Sequence, residues 1–196
     1  MGAGKNRFYC MNNEHLGGAY PGGDANTIMQ DVWGYLAISY NVKTVLDVGC
    51  GYGHALRWFL DHSMSGLAVD GFPDCIEKNL CPGSTLLWDF YQGPPPLAQK
   101  FDLGWSSEFL EHVDARHLPN VMAAFKACKH VCVTHGEPGQ DGYNHVHCVS
   151  DDVWIDHFSK AGFLHLAEET KKLRLSDRWK APWGRRTLML FENHNT

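Results

Sequence analysis

No apolar run in this 196-residue chain approaches the ~18 residues that a membrane span needs. The opening stretch MGAGKNRFYC lacks the apolar segment of a secretory leader, and Asn6 stands where an N-myristoylation signal wants Ser or Thr. Asn6 and the missing upstream strand also exclude a phosphate loop at Gly4-Lys5. No C-x-x-C pair occurs, which excludes the usual cysteine zinc sites, and the seven cysteines have no framework spacing. Cys50, Cys128 and Cys132 read as small buried hydrophobes in a reducing compartment, so the cytoplasm is the expected location. Internal repeats and low-complexity segments are missing. Positive charge is not in excess either: the net charge of −5 argues against nonspecific affinity for nucleic acid.

What is present is apolar sequence enough for one core, at 44% hydrophobic residues. The chain reads as one domain over 1–196, with an arm and helix over 1–42 covering an α/β core over 43–196. That core is organised around KTVLDVGCGYGH, Lys43 to His54. Val45-Leu46-Asp47-Val48 is a short strand-forming run; Gly49, Gly51 and Gly53 follow at alternate positions; Leu56, Phe59 and Leu60 then begin a helical pattern. Strand, glycine turn and helix make the first unit of a nucleotide-binding α/β domain. Glycines there let backbone approach a ligand, and the new helix points free N–H groups at it.

The spacing is G-x-G-x-G, with His54 where a dinucleotide fingerprint needs its third glycine. A second strand, 66–70, ends in Asp70, placed to accept both ribose hydroxyls of a nucleoside. A third ends in Asp89-Phe90, and a fourth, 101–106, runs into SSEFLEHV. Together these four sites resemble the motifs of class I S-adenosylmethionine-dependent methyltransferases. The resemblance implies a Rossmann-like sheet of seven strands, mostly parallel with the last antiparallel, and helices on both faces. It implies S-adenosylmethionine as cofactor, contacted by Asp47, Gly49, Gly51, Gly53, Asp70, Gly71, Asp89, Phe90, Ser106 and Glu108.

In chain order, an irregular glycine-rich arm precedes a helix from about Thr27 to Tyr40, with Ile28, Val32, Leu36 and Ile38 as its apolar face. In the arm, Tyr20 and Asp24 are candidate ligand contacts; a surface loop tied down by Tyr20 is the alternative. Helices are expected at 54–62, 73–80, 116–128 and from Asp151 to Gly162, and further strands at 85–88, 131–134, 163–167 and 187–191. Between the last two strands a basic loop, 171–186, carries Lys171, Lys172, Arg174, Arg178, Lys180, Arg185 and Arg186. It reads as a solvated flank, with a grip on an anionic substrate as the functional alternative.

With strands one to three assigned to a cofactor, chemistry is expected after strands four and five. The loop His135–Ser150 is dense in titratable groups. Its Pro138-Gly139-Gln140 and His145-Val146, with Trp154-Ile155, resemble a small single-domain methyltransferase group of bacteria and phages whose substrates are mostly unassigned. Asp141 and His147 depart from that pattern, whereas PGGD at 21–24 and Arg185-Arg186 extend it. If the acceptor is a hydroxyl, its proton must go somewhere, and a histidine suits that task. His145 is the first candidate for general base or acceptor-orienting group and His135 the second; each could instead merely brace the loop. Gln140, Asn144, His147, Trp105 and Tyr20 are candidate acceptor contacts, and Trp179 and Trp183 are further aromatic surfaces. No resident metal is expected; the alternative weighed is His145-x-His147 with Glu137, Asp141 or His135. Glu108 and His112, at i and i+4, read as a helix-face pair supporting the cofactor loop, together with Glu111. The expected partner is a small-molecule or glycan-like acceptor. Nucleic acid or protein held by the basic loop, and a non-catalytic cofactor-binding subunit, are the competing readings.

Overall fold

The computed structural model describes residues 15–16, 21–175 and 184–195. Its strands are β1 (Thr44–Val48), β2 (Ser65–Asp70), β3 (Thr85–Leu87), β4 (Phe101–Ser106), β5 (Cys128–Val133), β6 (Phe163–His165) and β7 (Met189–Asn193). They form a seven-stranded sheet in the order β3-β2-β1-β4-β5-β7-β6. Pairing is parallel from β3 across to β5, and β7 runs antiparallel to both β5 and β6. This is the Rossmann-like seven-stranded sheet expected from the sequence. The chain leaves β1 toward β2 on one side and later returns to β4 on the other. The carboxyl end of β1 is therefore a topological switch point, where such sheets bind ligands.

Helices α1 (Gln30–Ser39), α2 (His54–Asp61), α3 (Pro73–Glu77), α4 (Leu118–Phe125), α5 (Asp151–Lys160), α6 (Ala167–Leu175) and α7 (Gly184–Thr187) pack around it. Strand residues alternate between two cores, because successive side chains leave opposite faces. Leu46, Val48, Val131, Val133 and Phe191 join Phe125, Trp154 and Phe158 on one face. Val45, Leu103, Trp105, Cys132 and Leu190 join Val32, Trp33 and Phe59 on the other.

Four expectations need correcting. The helix expected from Thr27 begins at Gln30, after a 3₁₀ turn at Ala25–Thr27, and its buried face is Val32, Trp33 and Leu36, with Ile38 85% exposed. Residues 171–175, taken as part of a basic loop, belong to α6, which starts at Ala167 where a strand was expected to end. Glu168 and Glu169 lie in its first turn and Lys172 and Arg174 in its last, the charge order a helix dipole favours. The last strand starts at Met189, two residues later than expected, because Gly184–Thr187 is helical. Finally, Cys50 is only half-buried and lines the cavity described next, unlike Cys128 and Cys132, which are fully buried.

Candidate functional site

A cavity of about 750 Å³ opens over the carboxyl ends of β1, β2 and β4. Its floor is the turn after β1. Gly49, Gly51 and Gly53 all have left-handed backbone, with φ of 68°, 52° and 81°. A Cβ on Gly49 would sit 2.2 Å from the Phe109 ring, and one on Gly53 would sit 2.4 Å from Asn79 Oδ1. A Cβ on Gly51 would meet nothing within 4 Å, so the backbone there is bare toward open space.

Two acids tie this floor down. Asp47 is buried at the end of β1 and accepts from the Leu56 amide at 3.3 Å; burial pushes its carboxyl up to about 7. Asp70 accepts from the amides of Gly51 and Phe72, both at 2.8 Å, and burial pushes it up to about 6. Each carboxylate oxygen keeps lone-pair capacity for another donor. Next to it, Gly71 lines the cavity, where a Cβ would come within 2.7 Å of Leu16 Cδ2 and 3.3 Å of the Trp88 carbonyl. Asp89 caps a 3₁₀ turn through the Tyr91 amide at 2.8 Å and accepts from His15 Nε2 at 3.0 Å. His15 also stacks on Tyr91, so this arm residue closes the cavity above Asp89; nothing in the sequence pattern singled it out. Phe90 is buried and lines the same wall. Asp24 lines the cavity too, near Gly22, whose carbonyl accepts from His54 Nε2 at 2.8 Å. Tyr20, Trp179 and Trp183 lie outside the described residues.

After β4 the expected and observed residues differ by one. Ser106 is fully buried behind the sheet edge, and it is Ser107 that lines the cavity, its hydroxyl 3.1 Å from Thr134 Oγ1. Glu108 lines it as well, held at φ 51° by its amide's bond to Thr134. That left-handed residue breaks any helix, and only Leu110–His112 turn, as 3₁₀. The expected i, i+4 pairing of Glu108 with His112 is therefore not made. Glu111 and His112 instead face the cavity opposite His145, with the two imidazole rings edge-on at 4.8 Å.

The loop after β5 brings His145, Gln140, Asp141 and Tyr143 to the cavity. His145 Nδ1 donates to the Gln140 carbonyl at 3.2 Å, which fixes Nε2 as the nitrogen with a lone pair. The Gln140 side chain accepts from the Glu137 amide at 2.9 Å. Asn144, left-handed at φ 50°, does not line the cavity. Its amide donates to the carbonyls of His15 and His112 at 3.1 and 3.3 Å, tying the arm to the loop after β4. Strained residues at 108 and 144 thus flank one site, a common location for such cost.

Other sequence-selected residues lie elsewhere. His135 is buried off the cavity; its nitrogens face the Gly136 carbonyl and Asp151 Oδ1, both at 3.0 Å, so neither is turned toward a substrate. His147 packs against Trp154 and His157, with burial lowering its pKa. Glu137 is bound by Arg186, so the metal set built on His145 and His147 is not assembled. Trp105 touches the cavity but is 2% exposed and edge-on to Trp33, a core residue first. Of the basic segment, Lys172 pairs with Glu169, Arg174 with Asp151 and Arg186 with Glu137.

Burial works against ionisation of Asp151, but hydrogen bonds from His135 and Arg174 outweigh it and lower the carboxyl to about 2. A lowered folded pKa contributes stability that is present above pH ~4 and is lost as the pH falls toward 2. Screening at this part-exposed group limits the contribution to about 1 kcal/mol. Denaturant midpoints of wild type and Asp151→Asn should therefore differ at pH 6 and converge near pH 2.

A family model described as "Methyltransferase domain" matches residues 27–167. No curated protein matches the sequence. Among solved structures, the sugar N-methyltransferase KedS8 from Streptoalloteichus sp. is similar over 98% of each chain, at 14% identity and a TM-score of 0.66. An S-adenosylmethionine-dependent methyltransferase from Clostridium acetobutylicum is similar over 87% of this chain and 92% of its own, at 11% identity and a TM-score of 0.65. The glycopeptide N-methyltransferase MtfA, solved with sinefungin, is similar over 88% of each chain, at 13% identity and a TM-score of 0.60.

Proposed function

Because this chain belongs to the methyltransferase domain family, an S-adenosylmethionine-dependent one, we propose that it methylates a hydroxyl of a small-molecule or glycan-like acceptor held beside His145. The cofactor supplies an activated methyl group on a sulfonium leaving group. The residues at the cavity fit it: a bare left-handed Gly51, with Asp70 bonded to its amide, offers backbone and carboxylate to one nucleoside face. In this reading Asp70 accepts the ribose hydroxyls, Asp89 and Phe90 flank the base, and Asp47, Gly49, Gly53 and Gly71 shape the floor. Ser107 takes the place expected of Ser106, beside Glu108.

The single observation carrying the acceptor assignment is His145, a cavity histidine whose Nδ1 is already spent on a backbone carbonyl. Its Nε2 either takes the proton an acceptor hydroxyl must lose or fixes that hydroxyl in line. Gln140, which lines the cavity, is the proposed acceptor contact; Asn144 and His135 act by holding loops in place. The ion pairs of Lys172, Arg174 and Arg186 turn those charges toward the protein itself, which weighs against a nucleic-acid grip. Among the described residues no helix is long and apolar enough to cross a membrane.

His145→Ala should leave cofactor affinity unchanged in calorimetric titration and cut turnover by about 10²–10⁴-fold, the usual worth of a positioned proton-transfer group. Turnover at the wild-type rate would remove His145 from this role.

A further inference from the structure

The floor and the β5 loop leave one group of side chains unaccounted for. Glu111 is fully buried, and neither carboxylate oxygen meets a hydrogen-bond partner, although the Glu108 side chain and the amides of Glu111 itself and Gly136 lie beside them. Nδ1 of His112 and one oxygen of Glu108 are buried and unpartnered as well. Unpaired carboxylates do not survive burial without compensation. Here Glu111 has the Glu108 carboxyl as its neighbour, so negative charge accumulates between them unless something positive joins the pair.

We propose that Glu111, His112 and His145 form a binding site for a divalent metal ion inside the cavity, with Glu108 as the flanking fourth ligand. One ligand atom from each of the first three lies within 4.8 Å of the other two. An ion bonded at ~2.1 Å holds most ligand pairs ~3 to ~3.4 Å apart, so side-chain shifts of about an ångström close the set. The positive ion offsets the orphaned carboxylate oxygens of Glu111 and Glu108 and relieves the repulsion between them. The Gln140 carbonyl on Nδ1 of His145 is the outer partner that metal-bound imidazoles normally keep. Gly136 makes room: a Cβ there would lie 3.0 Å from that of Glu111, so only glycine lets the loop close over this side chain.

Two imidazoles with carboxylates favour Mn²⁺, Co²⁺ or Zn²⁺ over Mg²⁺ or Ca²⁺. Protein atoms supply three or four positions, and the remaining ones face the cavity. The consequence for chemistry, which rests on the hydroxyl reading above, is that His145 acts as an orienting group. The ion draws the acceptor oxygen into line and lowers the cost of its losing a proton, which leaves to solvent or to Glu108.

The test begins with metal-free protein that still binds cofactor by calorimetry, titrated with MnCl₂. The expected result is one Mn²⁺ per chain, with nitrogen couplings from imidazole in the pulsed EPR spectrum of the bound ion. Glu111→Gln and His145→Ala should each weaken uptake by about 10–100-fold or more while retaining cofactor binding, and His147→Asn should match wild type. No uptake by folded wild-type protein, or bound Mn²⁺ without nitrogen coupling, overturns the site even if the variants fail to fold. These readouts need no acceptor. Metal binding without hydroxyl methylation would therefore refute the proposed reaction and leave the metal site standing.

Discussion

Replacing Asp70 with alanine is expected to weaken cofactor binding by roughly 1.5–3 kcal/mol, about ten- to a hundredfold in Kd. Two losses combine. The carboxylate proposed to receive the ribose hydroxyls disappears, and the amides of Gly51 and Phe72 lose their acceptor, so the glycine turn itself loosens. Asp70→Asn separates them, since a carboxamide keeps one acceptor oxygen but no charge. Because burial holds Asp70 at about 6, wild-type affinity should also rise as the pH climbs through 6 and the carboxylate ionises. The sign is opposite for the empty protein: a raised carboxyl pKa contributes stability that is complete below pH ~4 and is lost as the pH rises through about 6. Calorimetry across that range reads the first effect and denaturant melts without cofactor read the second.

The second large effect separates two glycines two residues apart. Gly49→Ala forces a Cβ into the Phe109 ring at a left-handed position. That ring packs on Phe90 at 5.6 Å, so moving it disturbs the adjoining wall. Left-handed backbone costs about 1–2 kcal/mol and overpacking about 1–3 more. The expected loss is about 2–5 kcal/mol, a fall in Tm of roughly 5–15 °C for a chain of this size. At Gly51 the added methyl meets no protein atom, so Gly51→Ala should fold with only the backbone cost and lose cofactor affinity instead. Equal melting temperatures for the two variants would contradict this division of labour.

The features legible in the sequence were those set by short-range pattern. β2 and β4 fall within a residue of their expected limits, because each is an apolar run ending at a polar residue before a turn. The acids at 47, 70 and 89 sit at strand ends for the same reason, and registers such as Asp47↔Ala68 and Asp70↔Leu87 bring those ends together. α6 was hidden because it buries only Thr170 and Leu173, too little for an apolar stripe to show. Ser106 and Ser107 differ only in which way the strand end turns, which no composition reveals. The fate of His135 depends on Asp151, a residue of the next helix that pattern cannot place against it. Glu111 and His112 looked like helix support because the left-handed bend at Glu108 is invisible in the letters SSEFLEHV. Straightened out as a helix, those residues would not converge on His145.

The most direct measurement is a crystal structure of the complex with S-adenosylhomocysteine, the demethylated cofactor product. Expected is a nucleoside lying over Gly51, its ribose hydroxyls on Asp70, its base between Asp89 and Phe90, and its sulfur directed toward the pocket of Glu111, His112 and His145. A nucleoside bound elsewhere, or Asp70 turned away from the sugar, would contradict both the cofactor site and the role built on His145.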